Sequence, residues 1–132
     1  MQKLNQLILQ FRELEKIIEF KEKYIGLYEN NEYMYITLER SKIEAQFYLG
    51  NVEESFNQYK KIIEKYPKSD ICYFNLSRLY YENNEIEMAI KLLKIGIQKC
   101  EDGKEDMKDR LYMYEEELKE KNKVKKINKK NK

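Results

Sequence analysis

The sequence predicts an all-α protein of antiparallel helical hairpins, and three observations carry that prediction. Among 132 residues only four are Gly and one is Pro, so helix breakers are few, while Leu, Ile, Glu, Lys and Gln, mostly good helix formers, are abundant. Apolar residues recur at helical spacing almost from end to end. The interruptions are short and fall at Gly50-Asn51, Pro67-Lys68-Ser69, Asn83-Asn84 and Gly103, each with a physical reason to end a helix.

Six helices follow in order. The first spans about residues 2 to 28, with a stripe of Leu4, Leu7, Phe11, Leu14, Ile18, Ile25 and Tyr28 at heptad spacing, broken by Lys21. At 1.5 Å per residue it is about 40 Å long and needs a cover. Ile17, Phe20, Tyr24 and Leu27 add a second apolar face to its C-terminal half, which favours packing within the chain there. Its N-terminal half, Leu4, Leu7, Phe11 and Leu14, is the candidate surface for a homodimer.

Helix two, 32 to 49, and helix three, 52 to 66, are joined by Gly50-Asn51, where positive φ closes a tight turn. Pro67 cannot continue helix three, and Ser69 is placed to cap helix four, 70 to 83. Asn83-Asn84 turns the chain into helix five, 86 to 100. After Gly103 comes helix six, 104 to 121, with Met107, Leu111, Tyr114 and Leu118 on one face and charges opposite. Links this short force neighbouring helices to fold back on one another. The string Tyr28-Glu29-Asn30-Asn31-Glu32 returns as Tyr81-Glu82-Asn83-Asn84-Glu85, which we read as shared turn chemistry.

Charge is uneven. The formal net charge is +2 from 26 basic and 24 acidic residues, but Lys121, Lys123, Lys125, Lys126, Lys129, Lys130 and Lys132 lie in the last twelve residues, where there is no acid. The remaining body is acidic, so nucleic acid is an unfavourable partner for it, and only residues 122 to 132, read as a disordered basic tail, would offer an accessory phosphate contact.

Function classes narrow by exclusion. With no His, imidazole acid-base catalysis and most zinc and iron sites are ruled out. No phosphate loop or nucleophile elbow is present. The Glu53-Glu54 and Glu115-Glu116-Glu117 clusters read as solvated helix faces, so the expectation is a non-enzymatic protein without cofactor or metal. Cys72 and Cys100 read as reduced thiols packed as small hydrophobes, a bond between them being the alternative. The N-terminus lacks a secretory h-region and no stretch approaches a membrane span, which predicts a cytoplasmic protein.

Residues 73 to 93 carry a family resemblance. Tyr73-x2-Leu76-Ser77-x2-Tyr80 followed by Ala89-x3-Leu93, with Gly96 beyond, resembles a tetratricopeptide repeat. Small residues at Ser77, Ala89 and Gly96 let backbones approach, and Tyr73, Tyr80 and Leu93 fill the gaps around them. Glu101 stands where the family's Pro would be. A degenerate repeat precedes it: Ser55-x3-Tyr59 and Pro67 sit at the family's spacing, while Leu38, Ser41 and Ala45 fit only if that hairpin is one residue longer, which puts Lys42 at the small position.

The resemblance implies a short solenoid over residues 31 to 121, with the 1–30 helix ahead of it and helix six as its cap. It also implies a protein-binding groove lined by the first helix of the matched hairpin, at Ile71, Phe74, Asn75, Arg78 and Tyr81. Aromatic area at Phe74 and Tyr81, a carboxylate contact at Arg78 and amide hydrogen bonds at Asn75 would hold a peptide or helix of a partner at micromolar affinity, about −8 kcal/mol. The family's carboxylate clamp needs basic and Asn groups across adjacent repeats, of which this repeat supplies Asn75 and Arg78.

Overall fold

A computed structural model describes residues 2–28 and 31–130, leaving aside the side chains of residues 2, 18, 20–22 and 24–28. Six helices and no strand occur among the described residues: α1 (Gln2–Tyr28), α2 (Glu32–Tyr48), α3 (Val52–Lys65), α4 (Asp70–Glu82), α5 (Ile86–Lys99) and α6 (Lys104–Lys130). No helix among them is long and apolar enough to cross a membrane.

The turns behave as their residues dictate. Gly50 adopts φ +103°, and the Gly50 and Asn51 amides donate to the Phe47 and Gln46 carbonyls at 3.1 and 3.0 Å, closing α2 before α3 starts. Asn84 takes φ +64°, and the Glu85 amide donates to the Tyr80 carbonyl at 2.8 Å, so Asn does in the second hairpin what Gly does in the first. Asn31 caps α2 through its side chain, which accepts from the Met34 amide at 3.0 Å. Ser69 holds the cap position of α4, but its hydroxyl makes no capping hydrogen bond.

The chain divides into two compact units, Met1–Tyr66 and Pro67–Lys132. The boundary therefore falls inside the 31–121 stretch that the sequence reading groups together, and α1 shares a unit with α2 and α3 rather than standing apart. Pro67, which has no amide hydrogen with which to extend α3, stands at the boundary.

In the first unit α2 packs against both α1 and α3. Its core is built from Ile36, Ile43, Phe47, Phe56, Tyr59 and Ile62. Ser55 is fully buried, and its hydroxyl donates within reach of the Ile43 carbonyl at 3.1 Å and the Asn51 carbonyl at 2.8 Å. The close approach thus falls at Ile43, one residue past Lys42, and Ser41 instead donates to the Thr37 carbonyl of its own helix at 3.0 Å. The Tyr59 hydroxyl donates to Glu44 at 3.1 Å, which satisfies the polar end of a fully buried ring. The side chains of Ile18, Ile25 and Tyr28 of the heptad stripe, of Lys21, and of Phe20, Tyr24 and Leu27 of the second face lie outside what the structure describes.

In the second unit α5 packs against α4 and α6, and α6 also reaches α4. Tyr73, Leu76, Ser77, Ala89, Leu93 and Met107 are at most 1 % exposed. A Cβ placed on Gly96 would lie 2.8 Å from Tyr73 Cβ and 2.9 Å from Met107 Sδ, so glycine is what lets three helices meet at one point. The Tyr73 hydroxyl donates to the Pro67 carbonyl at 2.7 Å. Cys72 and Cys100 are both buried and are not joined in a disulfide.

α6 continues through Lys130, whereas the sequence reading ends it at 121 and expects a disordered tail. The reason is visible in its side chains. Glu116, Glu117 and Glu120 pair with Lys119, Lys121 and Lys123 at 3.1, 3.8 and 3.4 Å, all at helical spacing with the acid first. Lys121 and Lys125 also line a groove with Glu85, Glu87 and Leu118, and lysines at a helix C-terminus oppose its dipole favourably.

Candidate functional site

The helix α4 has two faces. Cys72, Tyr73, Leu76, Ser77, Leu79 and Tyr80 are buried, and Ile71, Phe74, Asn75, Arg78 and Tyr81, between them, are all half-buried. The five residues singled out from the sequence therefore share one partly open face.

Along that face a polar ladder runs in helical steps. The Asn75 amide donates to the Ile71 carbonyl at 2.8 Å, leaving its own oxygen turned toward Arg78, whose guanidinium donates to it at 3.5 Å. The same guanidinium donates to Glu82 at 3.1 Å. Arg78 is thus held in one orientation while about a quarter of its side chain remains exposed.

The two aromatic residues are engaged differently. Tyr81 stacks on Tyr114 of α6, with ring centroids 4.5 Å apart and planes 6° from parallel, and the Arg110 guanidinium lies 4.9 Å from the Phe74 ring centroid. Both rings are therefore partly committed to holding α6. Sequence reasoning treated α6 only as a cap through Met107, Leu111, Tyr114 and Leu118; it did not find Arg110, and it did not assign Tyr114 to the site. A signal was present in the spacing, since Arg110 stands four residues before Tyr114 and three after Met107, on the edge of the buried stripe.

Tyr114 is 3 % exposed, and its hydroxyl has no hydrogen-bond partner of ordinary geometry. Burial raises its pKa above 10.0, and the Arg110 guanidinium, first as a hydrogen-bond partner and then as a charge, opposes that shift together with the charge of Arg78. Tyr81 is also raised above 10.0, first by the Glu117 carboxylate as hydrogen-bond partner and then by burial.

These shifts set a pH dependence. Tyr73, Tyr81 and Tyr114 are raised above 10.0 and Cys100 above 9.0, Tyr73 and Cys100 mainly by burial. An acid whose pKa is raised by folding is neutral in the fold and ionises more readily once unfolded, so its contribution is fully present below the ordinary value and is lost as pH climbs through the raised one. The urea midpoint should therefore hold from neutrality to about pH 9 and decline beyond it, most steeply above 10. A midpoint that stays level through tyrosine ionisation would contradict the burial described here.

No group of His, Cys, Asp or Glu among the described residues is arranged to hold a metal ion. The six lysines from Lys121 to Lys130 are all exposed on the extension of α6.

A hairpin with small residues at its crossing, a third helix packed on it and a half-buried first-helix face define the fold class, a short helical-repeat module. The sequence profile of the tetratricopeptide repeat matches residues 58–91, taking in the second half of α3, all of α4 and the first turns of α5. Over that segment, about a quarter of the chain, the sequence is similar to a tetratricopeptide repeat. No curated protein matches it.

Proposed function

We propose that the protein is an adaptor that binds a peptide segment of another protein on the open face of α4, and that the segment carries a carboxylate. The observation that carries this reading is the cluster at the α4 and α6 rim. Arg78 is oriented by Asn75 and Glu82, Arg110 lies over Phe74, and the Tyr114 hydroxyl is buried beside Arg110 without a hydrogen bond of ordinary geometry. Two guanidinium groups, an amide and a hydroxyl suit a carboxylate, which accepts several hydrogen bonds at once. Ile71 and the exposed part of Phe74 supply apolar area beside it.

The residues for the test are Asn75 and Arg78, because Phe74 and Tyr81 also hold α6 and their loss would disturb fold and site together. Affinity capture from cell lysate with the intact chain should retain a partner that the Asn75→Ala, Arg78→Ala double variant loses. With the partner peptide in hand, the double variant should bind about tenfold or more weakly, since each lost contact is to a charged group, while its circular dichroism and melting stay close to those of the parent. Equal affinity in the two proteins would remove the α4 face as the binding site.

A further inference from the structure

We infer that the exposed C-terminal stretch of α6 is a contact surface for the phosphate backbone of duplex DNA. Every residue from 119 to 130 is exposed, which is about 18 Å of helix at 1.5 Å per residue. From 121 to 130 the stretch holds six lysines and no acid. Lys121 and Lys123 pair with Glu117 and Glu120, and Lys121 and Lys125 share a groove with Glu85 and Glu87. The positive charge is therefore least offset at Lys126, Lys129 and Lys130. The inference does not rest on the α4 face.

Two features select a polyanion with charge on more than one side. At about 100° per residue the six lysines cover an arc of about 200°, more than a flat surface meets at once. The major groove of B-DNA, about 12 Å wide, admits a helix and sets phosphates along both walls. Lys121 with Lys125, Lys125 with Lys129 and Lys126 with Lys130 are also like-charge pairs four residues apart. Such pairs oppose the helix that carries them, and bound phosphates relieve the repulsion. An anionic membrane fits less well. The other side of α6 presents Val124 and Ile127, 55 % and 57 % exposed, but Glu116, Glu117 and Glu120 lie in the same stripe and would face the headgroups.

Fluorescence anisotropy of a short DNA duplex titrated with the full chain in rising KCl tests it. The duplex should bind at low salt, and affinity should fall with salt on logarithmic axes at a slope of about 3 to 5, roughly 0.9 for each phosphate neutralised. Lys126→Gln with Lys129→Gln and Lys130→Gln, which keeps helix propensity, should weaken binding about tenfold or more and flatten the slope by about 3. Lys60→Gln with Lys61→Gln and Lys91→Gln removes the same charge at exposed positions elsewhere and should weaken it about threefold or less. No binding at low salt, equal weakening by the two variants, or binding to phosphatidylserine vesicles in place of the duplex would overturn the inference.

Discussion

Replacing Gly96 with Val should unfold the second unit more readily than any single exposed substitution, at a cost of about 3 kcal/mol or more. A Cβ alone at this position already falls within 3 Å of Tyr73 Cβ and Met107 Sδ, and valine adds two methyl groups beyond it. Neither neighbour can retreat. Tyr73 is 1 % exposed with its hydroxyl bonded to the Pro67 carbonyl, and Met107 is fully buried. The gain in helix propensity on losing a glycine, about 1 kcal/mol, opposes the effect and does not cancel it. Urea denaturation followed by circular dichroism checks the result; a stability within about 0.5 kcal/mol of the parent would mean that α4, α5 and α6 do not meet as closely as described.

The second large effect belongs to Met107→Ala, which should cost about 2 to 5 kcal/mol. Met107 is the buried residue through which α6 reaches the Gly96 crossing, and its removal leaves a cavity walled by α5 and α4 side chains that have little freedom to collapse into it. Tyr114 would remain as the other buried anchor of α6. The loss should therefore loosen α6 first, and hydrogen exchange should rise in its amides before those of α4. Uniform exchange across all three helices would show instead that α6 is no separable cap.

Much of this fold was written in local chemistry. Gly50, Pro67, Asn84 and Gly103 stop or turn the backbone for reasons intrinsic to those residues, and five of the six helices end within a residue of where the sequence places them. The small residues Ser77, Ala89 and Gly96 were legible for the same reason, since only a close approach of helices explains them at that spacing. The extension of α6 was hidden because a lysine run reads as low complexity; its support comes from acids one turn earlier, Glu116, Glu117 and Glu120. The division at Tyr66 and Pro67 depends on which helices pair, and that is a tertiary property.

The candidate site was half legible. The face of α4 could be drawn on a helical wheel, and its five residues are all half-buried. What the wheel could not give was the contribution of α6. Arg110 over Phe74, and the stacking of Tyr114 on Tyr81, arise from a helix more than two dozen residues further along the chain, and no local pattern announces that a buried tyrosine will lack a hydrogen-bond partner.

That hydroxyl offers the most direct test of the proposed adaptor site. In Tyr114→Phe the ring stays and only the oxygen goes. If the oxygen is an unsatisfied group in the free protein and a donor to the bound peptide's carboxylate, the variant should be as stable as the parent or slightly more so, yet should bind the captured peptide about five- to tenfold more weakly, the worth of one hydrogen bond. Unchanged affinity, with stability equal or raised, would contradict a site at the α4 and α6 rim.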